Sequence, residues 1–137
     1  MRSMFLFSIF VIIYGSLFPF DFQYVNWTNE GRKMLFSTTF FGGNVTDVLS
    51  NILLFIPFGL AGSELISRHK KSQKFYLYLC FVAASLAFGV QILQIYIPPR
   101  IPAFYDAVWN IIGTFIGILT AKFMGRRYTH ILNSDNK

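Results

Sequence analysis

Two short patterns carry most of the chemistry this sequence could perform. Asp47 and Asn51 lie four residues apart, Asp106 and Asn110 repeat that spacing, and each Asn is followed by Ile, a weak internal repeat of Asp-x-x-x-Asn-Ile. On a helix, residues at i and i+4 share one face. Each pair then puts a carboxylate at the start of a helix and an amide one turn further along. Gln91 and Gln94 precede the second pair, and Arg100 sits among prolines in Pro98-Pro99-Arg100-Ile101-Pro102. Carboxylates accept hydrogen bonds or act as general bases, and amides both donate and accept. A guanidinium grips phosphate or carboxylate in a forked geometry that lysine cannot match. Asp47, Asn51, Gln91, Gln94, Arg100, Asp106 and Asn110 are therefore the candidate ligand-binding residues.

A structural explanation competes for each of them. Acids in a first helical turn complement the helix dipole by about 0.3–1 kcal/mol. Asn and Gln inside a helix bundle can simply bond across helices, for about 0.6–2 kcal/mol each. Arg100 alone is an ordinary turn residue. What favours a site is coincidence: two acids, two Asn, two Gln and one Arg converge on one side of the expected bundle.

The elements that position these residues are written in the composition. Of 137 residues, 54% are hydrophobic, 13% are charged and 17 are Phe, whereas a soluble domain carries about 25% charged residues. A soluble chain this short could not hide so much apolar surface. Four apolar stretches cover approximately residues 4–20, 47–66, 75–97 and 103–124, and a membrane span needs roughly 17–25 such residues. The first stretch has a rival reading as a signal peptide; no small-x-small cleavage pattern follows it, and it runs straight into Pro19-Phe20-Asp21-Phe22. The expected fold is an all-α integral membrane protein, a single domain over residues 1–137 built as a bundle of four transmembrane helices.

The net charge of +6 does not point to nucleic acid, because the cations sit just outside apolar runs. Arg2, then Arg68, Lys70, Lys71 and Lys74, then Lys122, Arg126 and Arg127 occupy three regions that four spans would bring to one side. Cations gather on the cytoplasmic side, so both termini are expected there. The first connection on the other side is rich in aromatics (Phe22, Tyr24, Trp27, Phe36, Phe40, Phe41). It reads as interfacial, with a short helix near Gly31 to Phe36. Asn26-Trp27-Thr28 and Asn44-Val45-Thr46 match glycosylation acceptors, a pattern common by chance.

Two small-residue stripes follow helical spacing: Asp106, Asn110, Gly113 and Gly117 on the fourth span, and Cys80, Ala84, Ala87, Gln91 and Gln94 on the third. Gly113-x-x-x-Gly117 permits close helix packing, and the two stripes are expected to face each other. Pro57 should kink or loosen the second span and open space below the polar cluster. His69 and His130 read as solvated residues, and Glu64 as the neutraliser of Arg68 one turn later. A lone Cys80 builds no disulfide or metal site within one chain; neither a metal nor a cofactor is expected.

The run from Gln91 through Gln94, Arg100, Asp106 and Asn110 to Gly113 and Gly117 resembles the signature of VanZ-like membrane proteins. Asp47-Val-Leu-Ser-Asn51-Ile-Leu-Leu-Phe55-Ile-Pro57-Phe-Gly59 looks like the second-span motif of that family, and Tyr14-Gly-Ser-Leu-Phe-Pro19 is similar to its first span. One position departs: the family often has Glu where this chain has Gln91, which puts acid–base work there in doubt. The resemblance implies a multi-pass protein of the bacterial cytoplasmic membrane and a cell-envelope theme, with a role in glycopeptide resistance. It implies no particular reaction.

Three functions compete. The first is a non-enzymatic protein binding an amphipathic or anionic envelope ligand: a lipid headgroup, a lipid-linked cell-wall precursor or a glycopeptide. The second is an intramembrane enzyme acting on a lipid-linked phosphate or ester, with Asp47 or Asp106 as base and Arg100 stabilising negative charge. No His, Cys or clear Ser nucleophile joins the cluster, which argues against it. The third is a small ion-coupled transporter; nothing polar crosses the expected midplane. Membrane lipids are the expected partners, and self-association stays open.

Overall fold

The computed structural model describes residues 2–24, 44–69, 72–98 and 103–134, the last nine of these as backbone alone. Four helices form it: α1 (Arg2–Leu17), α2 (Val45–Arg68), α3 (Lys74–Gln94) and α4 (Phe104–Ser134). The described residues contain no strand. The segment expected to hold an interfacial helix, with Trp27, Phe36, Phe40 and Phe41, lies outside the described residues, as do Arg100, Lys70, Lys71 and the side chains of Arg126, Arg127 and His130.

Local chemistry starts α2 cleanly. Asn44 caps it, its side-chain oxygen accepting from Thr46 N at 3.4 Å, and Asp47 adds an acid to the first turn. The cap satisfies a backbone donor that a helix start leaves unpaired, and the acid complements the helix dipole. Asn44, a possible sugar acceptor by its sequence pattern, serves here as a cap. The helix runs on through Pro57 without a break in its assignment.

Three helices, Val45–Arg68, Lys74–Gln94 and Phe104–Gly125, are long and apolar enough to cross a membrane. α1 is apolar but has 16 residues, a rise of about 24 Å at 1.5 Å per residue. The helices cover little of one another: only 28%, 28% and 33% of the most apolar stretch of each is buried inside the protein. Leu6, Phe7, Phe10, Leu53, Phe81, Phe115 and Leu119 all point outward. An aqueous protein does not present such a surface; a lipid-facing one does.

Helices adjacent in sequence run antiparallel. Gly15 of α1 faces Leu54 of α2, while Phe5, ten residues earlier, packs tilted against Phe58 with ring centroids 4.9 Å apart. Ser67 and Tyr76 hydroxyls meet at 3.3 Å across the α2–α3 connection. Phe88 of α3 meets Phe104 of α4 at 5.3 Å, and Lys122 caps the Tyr76 ring at 4.0 Å. α2 and α4 are parallel and make the most extensive helix–helix contact among the described residues. Ile12, Phe55, Phe58, Ala83, Ala87, Ala107 and Ile118 belong to the shared core.

The packing of the small-residue stripe corrects an expectation. Gly113 and Gly117 lie chiefly against α2, not α3. A Cβ on Gly113 would collide with the carbonyl oxygen of Ile52, and one on Gly117 with that of Ile56; a Cβ on Gly59 would collide with the carbonyl oxygen of Thr114. The reason is that α2 offers its own glycine at this level. Gly59 and Gly117 on parallel helices let two backbones touch, which α3 with its alanines cannot match.

Candidate functional site

The ends of α1 and α3 and the starts of α2 and α4 come together at one end of the bundle. The chain leaving α1 folds across this end, where Gln23 N donates to Tyr96 O at 2.7 Å. Five of the polar residues singled out by sequence are buried or half-buried here, and four of them fall into two kinds.

Gln91 and Gln94 are buried on α3, and each is committed to backbone. Gln91 Oε1 accepts from Ala103 N at 3.0 Å, holding the residue that leads into α4. Gln94 Nε2 donates to the carbonyl of Ser16 at 2.9 Å, tying the end of α3 to the end of α1. The α3 stripe thus divides between two neighbours. Its last polar residue faces α1, and only Gln91 reaches toward α4.

Asp106 and Asn110, one turn apart on α4, are different. Asp106 Oδ1 and Asn110 Oδ1 are both buried and have no hydrogen-bond partner among the described residues. Asn110 is 1% exposed. Buried polar atoms nearly always find partners, and leaving an acceptor empty costs about 1–3 kcal/mol. Asp47 is exposed in the first turn of α2, at the level where the parallel α4 begins with Asp106. Asn51 is half-buried beside Ile52, whose carbonyl meets Gly113 in the α2–α4 seam. The structure therefore sets Asp47 and Asp106 at the starts of two parallel helices, places Asn110 one turn below Asp106 and turns Gln94 toward α1. Arg100 lies outside the described residues.

The described part of the site is rich in acceptors. Two carboxylates and an amide oxygen call for hydroxyl or ammonium donors. No nucleophile stands among them. The Thr114 hydroxyl, fully buried one turn below, donates to the Asn110 carbonyl at 3.1 Å.

Several contributing residues escape a reading by motif. Thr114 is four residues past Asn110 and extends its face. Gly59 belongs to a small-residue run, Gly59-Leu-Ala-Gly62-Ser63, whose spacing marks it as a helix-packing surface. Ser63 is 1% exposed, and its hydroxyl has no partner among the described residues. Ser16 takes part through its carbonyl, which no side-chain pattern can announce.

A sizeable cavity sits at the opposite end, lined by Arg2, His69 and apolar side chains of α1, α2 and α3. There Arg68 Nε donates to Glu64 Oε1 at 2.9 Å, the expected neutralisation. His69 is exposed, its Nδ1 bonded to Leu65 O at 3.1 Å.

A family model described as VanZ/LLP1 matches residues 5–125. Neither a curated protein nor a solved structure matches the chain.

Proposed function

The chain belongs to the VanZ/LLP1 family, and from that premise we propose a bacterial envelope protein whose acceptor-rich pocket binds the headgroup of an amphipathic ligand. It sits in the cytoplasmic membrane as four spans, α1 being the shortest, with both termini cytoplasmic. Arg2, Arg68, Lys74 and Lys122 share one end of the bundle, and cations favour the cytoplasmic side. The Asp47–Asp106 end then lies toward the outer leaflet.

The observation that carries the reading is the pair of empty oxygens, Asp106 Oδ1 and Asn110 Oδ1, buried one turn apart. A fold that needed only stability would pair them or replace them with apolar atoms. Kept empty, they await donors from something that enters. Hydroxyl or ammonium groups of a lipid headgroup or a lipid-linked cell-wall precursor fit that demand. Arg100, close in sequence to Ala103, supplies the forked cation for the ligand's phosphate. Binding the lipid-linked precursor is also the route by which such a protein would bear on glycopeptide resistance.

The test is to purify the full chain from bacterial membranes in mild detergent and identify what stays bound by mass spectrometry. Wild-type protein is expected to carry one class of amphiphile far above its share of the membrane. Asn110→Leu should carry less than about a tenth as much, a loss of about 1.4 kcal/mol or more of binding. Arg100→Ala should lose it likewise while accumulating normally. A wild-type protein that carries only the bulk lipid mixture, or an unaffected Asn110→Leu, would sink the reading.

A further inference from the structure

At the end of the bundle remote from Asp47 and Asp106, α1, α2 and α3 form a half-open cavity of about 430 Å³, walled by Phe5, Leu65, Leu79 and Val82 with Arg2 and His69 at its edge. That size falls in the range of small-ligand sites, about 300–1,000 Å³, which are mostly apolar with a few placed polar groups.

The charge around it has one sign. Among the described residues this end carries Arg2, Arg68, Lys74 and Lys122, and its single acid, Glu64, is already bonded to Arg68. α1 and α3 begin here and α2 ends here, so the helix dipoles oppose one another and the side-chain cations set the sign. Arg2 and His69 are exposed, within reach of a headgroup while the apolar wall lies behind them. Basic pockets between membrane helices suit anionic lipid.

We propose that this cavity seats an acyl chain of an anionic phospholipid, with Arg2 and His69 meeting its phosphate. The site is separate from the acceptor cluster and does not depend on it. A free phosphate would leave the apolar wall empty. A second copy docked by twofold symmetry would set the same cations face to face. A lipid satisfies both parts at once.

The experiment titrates the delipidated full chain with phosphatidylglycerol and with phosphatidylcholine and counts retained lipid by native mass spectrometry. Phosphatidylglycerol should be retained about fivefold better for each cation engaged. Arg2→Gln should cut that preference about fivefold and leave phosphatidylcholine unchanged. Leu65→Trp, which fills the cavity, should lower retention of both lipids. Arg2→Gln and Leu65→Trp should both keep the amphiphile that co-purifies with the Asp106–Asn110 pocket, which separates this site from the one at the other end. Equal retention of the two lipids by wild type overturns the proposal, as does an Arg2→Gln variant that keeps the preference or a Leu65→Trp variant that keeps its lipid. A dimer that persists when phosphatidylglycerol is added would assign the cavity to a second copy instead.

Discussion

The ends of α3 and α4 that meet at the acidic face of the bundle carry similar side chains in opposite circumstances. On α3, Gln91 and Gln94 each close a hydrogen bond to backbone, to Ala103 N and Ser16 O. On α4, Asp106 and Asn110 each bury an oxygen that no described residue bonds. Both pairs sit in an apolar molecule where an empty polar atom is costly. The first pair is accounted for by the fold, and the second is not. Polar residues inside a bundle of this kind are therefore not one class: some hold the chain together, and others are held open by it.

The comparison breaks most completely if the seam that fixes α4 fails. Gly117→Val would drive a Cβ into the Ile56 carbonyl, with Leu60 N at 2.8 Å. These are backbone atoms that cannot swing aside, so the variant should lose about 3 kcal/mol or more in detergent-denaturation midpoints. Gly89, with nothing within 4 Å of a Cβ, is the control: Gly89→Ala should be neutral or stabilising by up to about 1 kcal/mol. Equal behaviour of the two variants would mean that α2 and α4 do not touch as described.

A smaller effect sharpens the α3 side. Gln91→Leu orphans Ala103 N and Gln94→Leu orphans the Ser16 carbonyl, so each should lower stability by about 1–3 kcal/mol in the same unfolding measurement. Full stability in both would show that their hydrogen bonds carry no weight and erase the contrast.

The smallest effect on stability belongs to α4. Asn110→Leu removes an empty acceptor and breaks none of the side-chain bonds described, so its midpoint should move by less than about 1 kcal/mol or rise. The same variant should lose the bound amphiphile. A destabilisation as large as that of Gln91→Leu would place Asn110 among the residues that hold the chain together.

How much of this could be read from the residues follows the range over which each cause acts. The helices were legible, because apolar runs and their flanking charges are local in sequence. The boundaries near Val45, Lys74 and Phe104 follow from caps, basic linkers and prolines. The Glu64–Arg68 pair was legible for the same reason, being one turn apart on one helix. The candidate cluster was legible only as a set of residue types on matching faces. Which neighbour each face would meet was not. The Gly113–Gly117 stripe packs on α2 because Gly59 lies level with it, a match between residues far apart in sequence. The basic-end cavity was missed entirely, since its wall draws on three helices and no single segment carries its pattern.

The sequence alone determined that the chain is helical, that most of its surface suits lipid and that basic clusters flank the helices on one side. These follow from transfer free energy and helical periodicity, properties of short segments. Tertiary structure decided which polar atoms are satisfied and which stay empty. Whether Gln94 finds the Ser16 carbonyl, or Asn110 finds nothing, depends on where another helix passes. That passage is set by close packing of side chains from distant parts of the chain, which no local pattern encodes.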